Sequence, residues 1–375
     1  MAANGGEGRK LKVLHVLHSI ERSGAEVMLV QAAPLFEGWG LDLHALATGE
    51  SVGMYAEQMA AAGFTIHHLP LESRFAHLLR FYRLLAREQF DVVHVHTEKA
   101  FFWYALAGRL AGVGRIVRTV HSVFDFSGFL WAERLVQRRI ASRFLGELAV
   151  SPSASVQEAE HRLYGIHTFL IPNWTDSRRF SPSGNDEGRA ATRAQFGIAE
   201  GSVVYISVGS CESVKNHAVI IRALASIAHA CPDARYLHVG SGGLQAFEQQ
   251  LVAELGLVGR VIFAGQRDDI PDLLRSSDAF VMPSTREGFG ISCLEAMSCG
   301  LPVIASDVSG LRELVVDCET GFLTRSESDL ACAMAELYRS SRLRERCGSA
   351  GRARALAEFN VQTSVESYVR LYRTS

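Results

Sequence analysis

The sequence predicts an α/β protein made of two successive domains, each built on a doubly wound parallel sheet. Three observations predict it. Short apolar runs alternate with longer stretches of helical spacing from one end of the chain to the other, as expected of parallel strands joined by crossing helices. The alternation pauses at 172–185, which holds Pro172, Ser177, Ser181, Pro182, Ser183, Gly184 and Asn185, and then restarts. At 375 residues the chain also exceeds the length over which one hydrophobic core normally keeps growing.

In the first half the strand candidates are 12–17, 41–48, 64–70, 91–97, 116–123, 147–150 and 168–172, with helical patterns in most gaps. In the second half they are 203–208, 235–239, 261–264, 279–282, 302–306 and 321–324. The expected division is a short flexible tail (1–10), an N-terminal domain (11–175) and a C-terminal domain (176–358). A last helix (359–375) carries Val361, Val365, Tyr368 and Leu371 at helical spacing; it can cap either domain and is expected to pack back on the first. Open parallel sheets bind ligands beyond the carboxyl ends of their strands, so two facing sheets would leave a ligand cleft between domains.

Composition narrows the class. A content of 48% hydrophobic and 21% charged residues is that of an ordinary globular protein, and the net charge of -2 argues against a surface tuned to nucleic acid. The seven cysteines contain no C-x-x-C pair, are odd in number and lie in the second half, so they read as reduced thiols instead of a disulfide frame or zinc site. No apolar h-region follows the Gly-rich start, and no apolar run nears the ~18–20 residues that span a bilayer. The expectation is a cytoplasmic protein able to make peripheral contact with the inner face of the membrane.

The richest segment follows the strand at 279–282 and reads PSTREGFGISCLEAMSCGLP over 283–302. Gly288 and Gly290 permit close backbone approach at what reads as a helix start, where free N–H groups and the positive dipole end favour an anion such as a diphosphate. Read as one helix, the eight residues from Glu287 to Glu295 span about 12 Å, the reach from a sugar to a ribose. Glu287 can equally serve the helix dipole, and Glu295 can equally be a solvated helix residue.

Here the chain resembles the retaining glycosyltransferases of family 4, of the GT-B fold with two Rossmann-like domains. The resemblance rests on Glu-x7-Glu within PSTREGFGISCLEAMSCGLPVIAS and extends upstream through VIFAGQRDDIPDLLRSSDAFVMPS. It implies that Glu287 faces the donor sugar, that Gly288, Phe289, Gly290 and Ile291 line the sugar and diphosphate, and that Glu295 holds the ribose. Lys215, in VGSCESVKNH after the strand at 203–208, then offers a point charge to the leaving diphosphate. The family usually has an Arg where this chain has Ser210, which leaves one cation fewer on the phosphates. Gln266 and Arg267 belong to the loop that would read the nucleobase, and Gly240 to a further close-approach loop; both are also ordinary turn sequences.

In the first domain, Gly24 within Ser23-Gly-Ala-Glu26 matches the family's Gly-rich loop, although Ser with Glu three residues later is also a capping box. By resemblance His121 contacts the donor sugar, giving His121, Glu287 and Lys215 as the catalytic expectation. His94 and His96 share a strand face and could hold a metal, but no third ligand stands at a recognisable spacing, which favours structural roles. There is no Asp-x-Asp triplet, so no metal or other cofactor is expected beyond the nucleotide-diphosphate sugar, a co-substrate.

Residues 74–143 carry twelve Lys or Arg against five acidic residues, with Arg80, Arg83 and Arg87 on one helix face beside Phe81, Leu84 and Leu85. Such a face could dock on anionic lipid, or simply be solvated. The resemblance implies retaining transfer of a hexose or N-acetylhexosamine, with UDP the favoured nucleotide, to a glycan or lipid-linked acceptor in cell-surface polysaccharide synthesis. A GT-B sugar-nucleotide epimerase and a non-catalytic donor-binding subunit are the alternatives.

Overall fold

The computed structural model describes residues 9–71, 73–124, 126–182 and 186–374. Residues 1–8 of the expected tail and 183–185 of the expected linker lie outside the described residues. The chain divides into two compact units, Met1–Asn173 with Val361–Ser375, and Trp174–Asn360.

The first unit runs β1 (Leu11–Leu17), α1 (Gly24–Gly38), β2 (Leu41–Ala47), α2 (Ala56–Ala61), β3 (Thr65–His68), α3 (Arg74–Glu88), β4 (Val92–Val95), α4 (Phe101–Leu110), β5 (Arg115–Thr119), α5 (Gly128–Phe144), β6 (Glu147–Ser151), α6 (Ala154–Tyr164) and β7 (Phe169–Leu170). The second runs α7 (Asp186–Gln195), β8 (Val203–Val208), α8 (Ala218–Ile227), β9 (Ala234–Val239), α9 (Gln245–Glu254), β10 (Val261–Phe263), α10 (Ile270–Arg275), β11 (Ala279–Met282), α11 (Ile291–Ser298), β12 (Val303–Ser306), α12 (Ser309–Arg312), β13 (Gly321–Thr324), α13 (Glu327–Arg339) and α14 (Ser341–Glu358). The last helix, α15 (Val361–Arg373), returns to the first unit. All thirteen expected strands form.

Both sheets are parallel. The order is β3-β2-β1-β4-β5-β6-β7 in the first unit and β10-β9-β8-β11-β12-β13 in the second. Each order reverses direction once, at β1/β4 and at β8/β11, the place where sheets of this kind bind their ligands. The inner strands of each sheet are largely buried on both faces, which explains their mostly apolar runs, whereas the edge strands β3 and β7 are partly or fully exposed. In β8, Val204 and Ile206 enter one core of the second unit, while Val203 and Tyr205 enter the other.

The expected basic face is redrawn. Phe81, Leu84 and Leu85 of α3 point into the core with Val93, Phe101 and Tyr104, so they offer no surface to a membrane. Two of the counted cations, Arg118 and Arg138, are buried as well. Arg138 Nε donates to Glu160 Oε2 at 2.9 Å, Arg118 Nε to Glu147 Oε1 at 2.5 Å, and Glu98 Oε1 lies 3.1 Å from an Arg138 terminal nitrogen. A charge count assumes exposure, and these guanidinium groups sit among carboxylates in the interior.

Candidate active site

The second unit places its candidates at the β8/β11 reversal. Lys215, in the loop after β8, donates from Nζ to Glu287 Oε2 at 2.7 Å, in the loop after β11. The backbone holds the two loops in register, since Thr285 donates its N–H to Val214 O at 2.9 Å. A third loop, after β9, packs on the first: Cys211 N–H donates to Ser241 O and Gly209 N–H to Val239 O. Gly240 has φ +143°, and a Cβ there would lie 1.9 Å from Gly209 O, so only glycine allows this approach.

The segment from Glu287 to Glu295 is not one helix. Gly290, at φ +89°, is the N-cap, and α11 starts at Ile291. The expected 12 Å helical rise therefore does not apply; only the four steps from Ile291 to Glu295 are helical, a rise of about 6 Å. The left-handed glycine breaks the helix, so Glu287 and Gly288 lie in a loop before its N-terminus. The first N–H groups of a helix lack intrahelical acceptors, so this end presents donors and a partial positive charge.

Glu295 is only 8% exposed, which removes its reading as a solvated helix residue. Phe289 is also buried, its ring edge-on to Phe359 at 5.5 Å, so its side chain serves the core and leaves its backbone to the loop. Ile291 is half-buried, while Ser210 and Gln266 are exposed. Arg267 is engaged by Asp269, with hydrogen bonds of 2.8 and 2.6 Å.

In the first unit, Gly24 opens α1 with Ser23 as N-cap, but the expected capping box does not form. The Ser23 hydroxyl turns to the Glu26 carboxylate instead of a backbone N–H. Burial raises the Glu26 pKa, against which the Ser23 hydrogen bond acts.

β5 ends at Thr119, two residues before His121. His121 Nε2 lies 3.0 Å from His96 Nδ1, and His96 Nε2 lies 3.0 Å from His15 Nδ1, a continuous chain of three imidazoles. Burial pulls the His121 pKa down to about 4 and that of His15 to about 3, so both rings are neutral near pH 7. His94 brings a ligand atom within 4.8 Å of His15 and His96, the third imidazole that spacing did not show, but its Nδ1 meets Tyr372 OH at 2.7 Å and its Nε2 meets Thr119 Oγ1 at 2.8 Å. Both its nitrogens are thus committed to hydrogen bonds.

Sequence spacing missed two participants. His15 reaches His96 only because β1 pairs with β4, setting His15 opposite His94. Gly310, in α12, comes so close to the loop after β11 that a Cβ would lie 2.5 Å from Glu287 O and 2.8 Å from Gly288 C. Neither has a local signal.

The family model "Glycosyl transferases group 1" matches residues 188–354, and the model "Glycosyltransferase Family 4" matches residues 22–179. A relative in Escherichia coli, the UDP-Gal:alpha-D-GlcNAc-diphosphoundecaprenol alpha-1,3-galactosyltransferase, is 30% identical over 84% of each chain. The phosphatidyl-myo-inositol mannosyltransferase of Mycobacterium tuberculosis is 30% identical over 77% of this chain and 75% of its own. A crystal structure of Anabaena HepE in complex with UDP and glucose matches with a TM-score of 0.84 at 25% identity, covering 96% of this chain and 98% of that one. HepE has also been captured with UDP-glucose. With matching sequence in both units and two parallel sheets of the same kind, the chain belongs to the group 1, family 4 glycosyltransferases of the GT-B fold.

Proposed function

We propose that this chain moves a hexose or N-acetylhexosamine, with retention of anomeric configuration, from a nucleotide-diphosphate sugar to a glycan or lipid-linked acceptor during cell-surface polysaccharide synthesis. UDP is the favoured nucleotide. The observation that carries the reading is the Lys215–Glu287 pair beside the N-terminus of α11. A diphosphate at that helix end would draw the Lys215 ammonium and leave Glu287 free to accept from sugar hydroxyls. Glu295, buried one helical turn further, is assigned to the ribose.

In this reading the bond from C1 to the departing phosphate oxygen breaks as the acceptor oxygen bonds to C1 on the same face. The acceptor proton passes to the departing phosphate oxygen. Lys215 and the helix end stabilise the developing negative charge, so no divalent ion is required. His121, as a neutral imidazole, would exchange a hydrogen bond with the sugar. Support for UDP and a lipid-linked acceptor comes from the relatives: the E. coli enzyme is named for UDP-Gal and a diphosphoundecaprenol acceptor, and HepE holds UDP-glucose. Action at the cytoplasmic face of the membrane is part of the proposal, and among the described residues no helix is long and apolar enough to cross one.

The test is a panel of UDP-, GDP- and ADP-sugars screened by thermal shift in EDTA, followed by transfer assays with diphosphate-linked lipid acceptors and NMR of the product anomer. A stabilising UDP-sugar that yields an α-linked product is expected. Interconversion of the donor without acceptor, or an inverted product, would overturn the reading.

A further inference from the structure

We propose that Cys211, His217, His238 and Glu248 form a closed zinc site inside the C-terminal domain. One ligand atom from each residue, a sulfur, two imidazole nitrogens and a carboxylate oxygen, lies within 4.8 Å of all the others, and all four residues are buried. A tetrahedral zinc shell with bonds of about 2.0–2.3 Å has ligand-to-ligand edges of roughly 3.3–3.8 Å. Two edges are already close to that length: Cys211 Sγ to His238 Nε2 is 3.1 Å, and His217 Nδ1 to Glu248 Oε1 is 3.4 Å. Closing the remaining gaps takes movements of about 1 Å, within reach of side-chain rotation.

A second observation points to a missing partner. His217 Nδ1 and Glu248 Oε2 have no well-formed hydrogen bond of their own, on side chains that are 4% and 2% exposed, although His217 Nδ1 faces the other oxygen, Oε1, at 3.4 Å. A cation bound among the four ligands would give the His217 nitrogen and the Glu248 carboxylate a common partner. The supporting shell is in place. His238 Nδ1 meets Ser207 Oγ at 3.0 Å and Tyr236 OH at 3.3 Å, which fixes the ring with Nε2 turned to Cys211.

The donor set selects the metal. One thiolate with two imidazoles and a carboxylate suits zinc, whereas magnesium and calcium demand oxygen ligands. Zinc with one thiolate, one carboxylate and two neutral imidazoles sums to zero charge, which suits a buried site. Binding forms the Zn–S bond as the Cys211 thiol gives its proton to solvent. Four protein ligands leave no open position, so the role is structural. Cys211 and His217 bracket the loop after β8, His238 lies on β9 and Glu248 on α9, so the ion ties that loop to its neighbours. No C-x-x-C or H-x-H spacing announces the site, because the fold assembles it from three elements. It does not depend on the donor assignment.

The test uses the full chain, expressed without a polyhistidine tag in zinc-supplemented medium. Elemental analysis after dialysis is expected to give about one zinc per chain, falling at least tenfold in Cys211→Ala and Glu248→Gln. The chain stripped by chelator is expected to take up cobalt with the intense visible bands of a tetrahedral site and a thiolate charge-transfer band that Cys211→Ala removes. If either variant fails to fold, the zinc content and cobalt spectrum of the unaltered chain decide the matter. Less than about a tenth of a zinc per chain with no tetrahedral cobalt spectrum would overturn the proposal, as would equal zinc content in folded variants.

Discussion

Lys215 Nζ and Glu287 Oε2, 2.7 Å apart, join the loops after β8 and β11 at the point where strand order reverses. Both side chains keep some solvent contact, so the pair itself contributes only about 1 kcal/mol to stability. In the proposed reaction its weight would fall on turnover. Lys215→Ala is expected to lower kcat/KM by about 10²–10³ while the thermal midpoint moves little. Glu295→Ala, by contrast, is expected mainly to raise the donor KM. Initial rates over a range of donor concentrations separate the two, and parental kinetics in both variants would sink the site assignment.

Gly310 supports the same loop from behind. Adding a Cβ would press on Glu287 O and Gly288 C, backbone atoms with little room to yield. Gly310→Ala should therefore shift the Glu287–Gly290 loop and weaken donor binding about tenfold or more, at a stability cost of about 1–3 kcal/mol. Donor titration by calorimetry reads the first effect and urea unfolding the second. Unchanged affinity would show that the contact does not set the loop.

The inner strands were legible because most are apolar runs bounded by Gly, Pro or polar residues and are buried on both sheet faces, while β3 and β7, at the edges and exposed, carry a weaker pattern. The loop after β11 was legible in composition but not in shape. Gly290 permits both a helical and a left-handed backbone, and only its φ of +89° at the N-cap of α11 reveals which one holds. The His15–His96 contact was out of reach, since it depends on a strand pairing between residues 81 apart. Arg118 and Arg138 misled for the opposite reason: their charge is visible in sequence, while the three carboxylates that draw them inside come from separate elements.

The buried imidazoles make stability depend on pH. Burial holds His121 down to about 4 and His15 to about 3, and it lowers His94 and His96 well below the ordinary range. An unfolded histidine titrates near ~6.5, so below that pH the unfolded chain binds protons that the folded chain does not. The stabilisation is complete above about pH 6.5 and is lost as pH falls towards 4, by about 1.4 kcal/mol per pH unit for each proton of difference. Urea unfolding at pH 7.5, 6.5 and 5.5 should show a steepening decline before most carboxylates titrate. His15→Leu should make it shallower, and a flat profile in the parent chain would refute the neutral cluster.

Glu160 bridges both buried guanidinium groups: Arg138 Nε donates to Oε2 at 2.9 Å, and an Arg118 terminal nitrogen reaches the same oxygen at 3.4 Å. Arg138 also stacks over Tyr164 at 4.2 Å, which fixes its plane. Glu160→Gln keeps the shape and removes the charge, leaving two buried cations with one fewer counterion. The expected loss is about 3–5 kcal/mol, read as a lower urea midpoint with unchanged slope. A change below about 1 kcal/mol would mean that water or Glu98 compensates.

Contact with a membrane is a proposal, and the exposed residues put it on a different stripe of α3 from the one the sequence suggested. On α3 the outward stripe is Phe75, 80% exposed, followed by the partly exposed Leu79 and Tyr82, one helical face beside Arg83 and Arg87. An aromatic and aliphatic stripe flanked by cations suits the headgroup region of an anionic bilayer, with each cation contributing about 1 kcal/mol near the surface. Arg83→Glu with Arg87→Glu should thus weaken co-sedimentation with phosphatidylglycerol vesicles by at least about thirtyfold. Phe75→Ser with Leu79→Ser should weaken it further without changing its salt dependence, because apolar insertion is not screened. Both positions lie outside the buried set of α3, so folding should be retained. Binding to anionic and zwitterionic vesicles that is equal in all these variants and the parent would remove α3 from any role at a membrane.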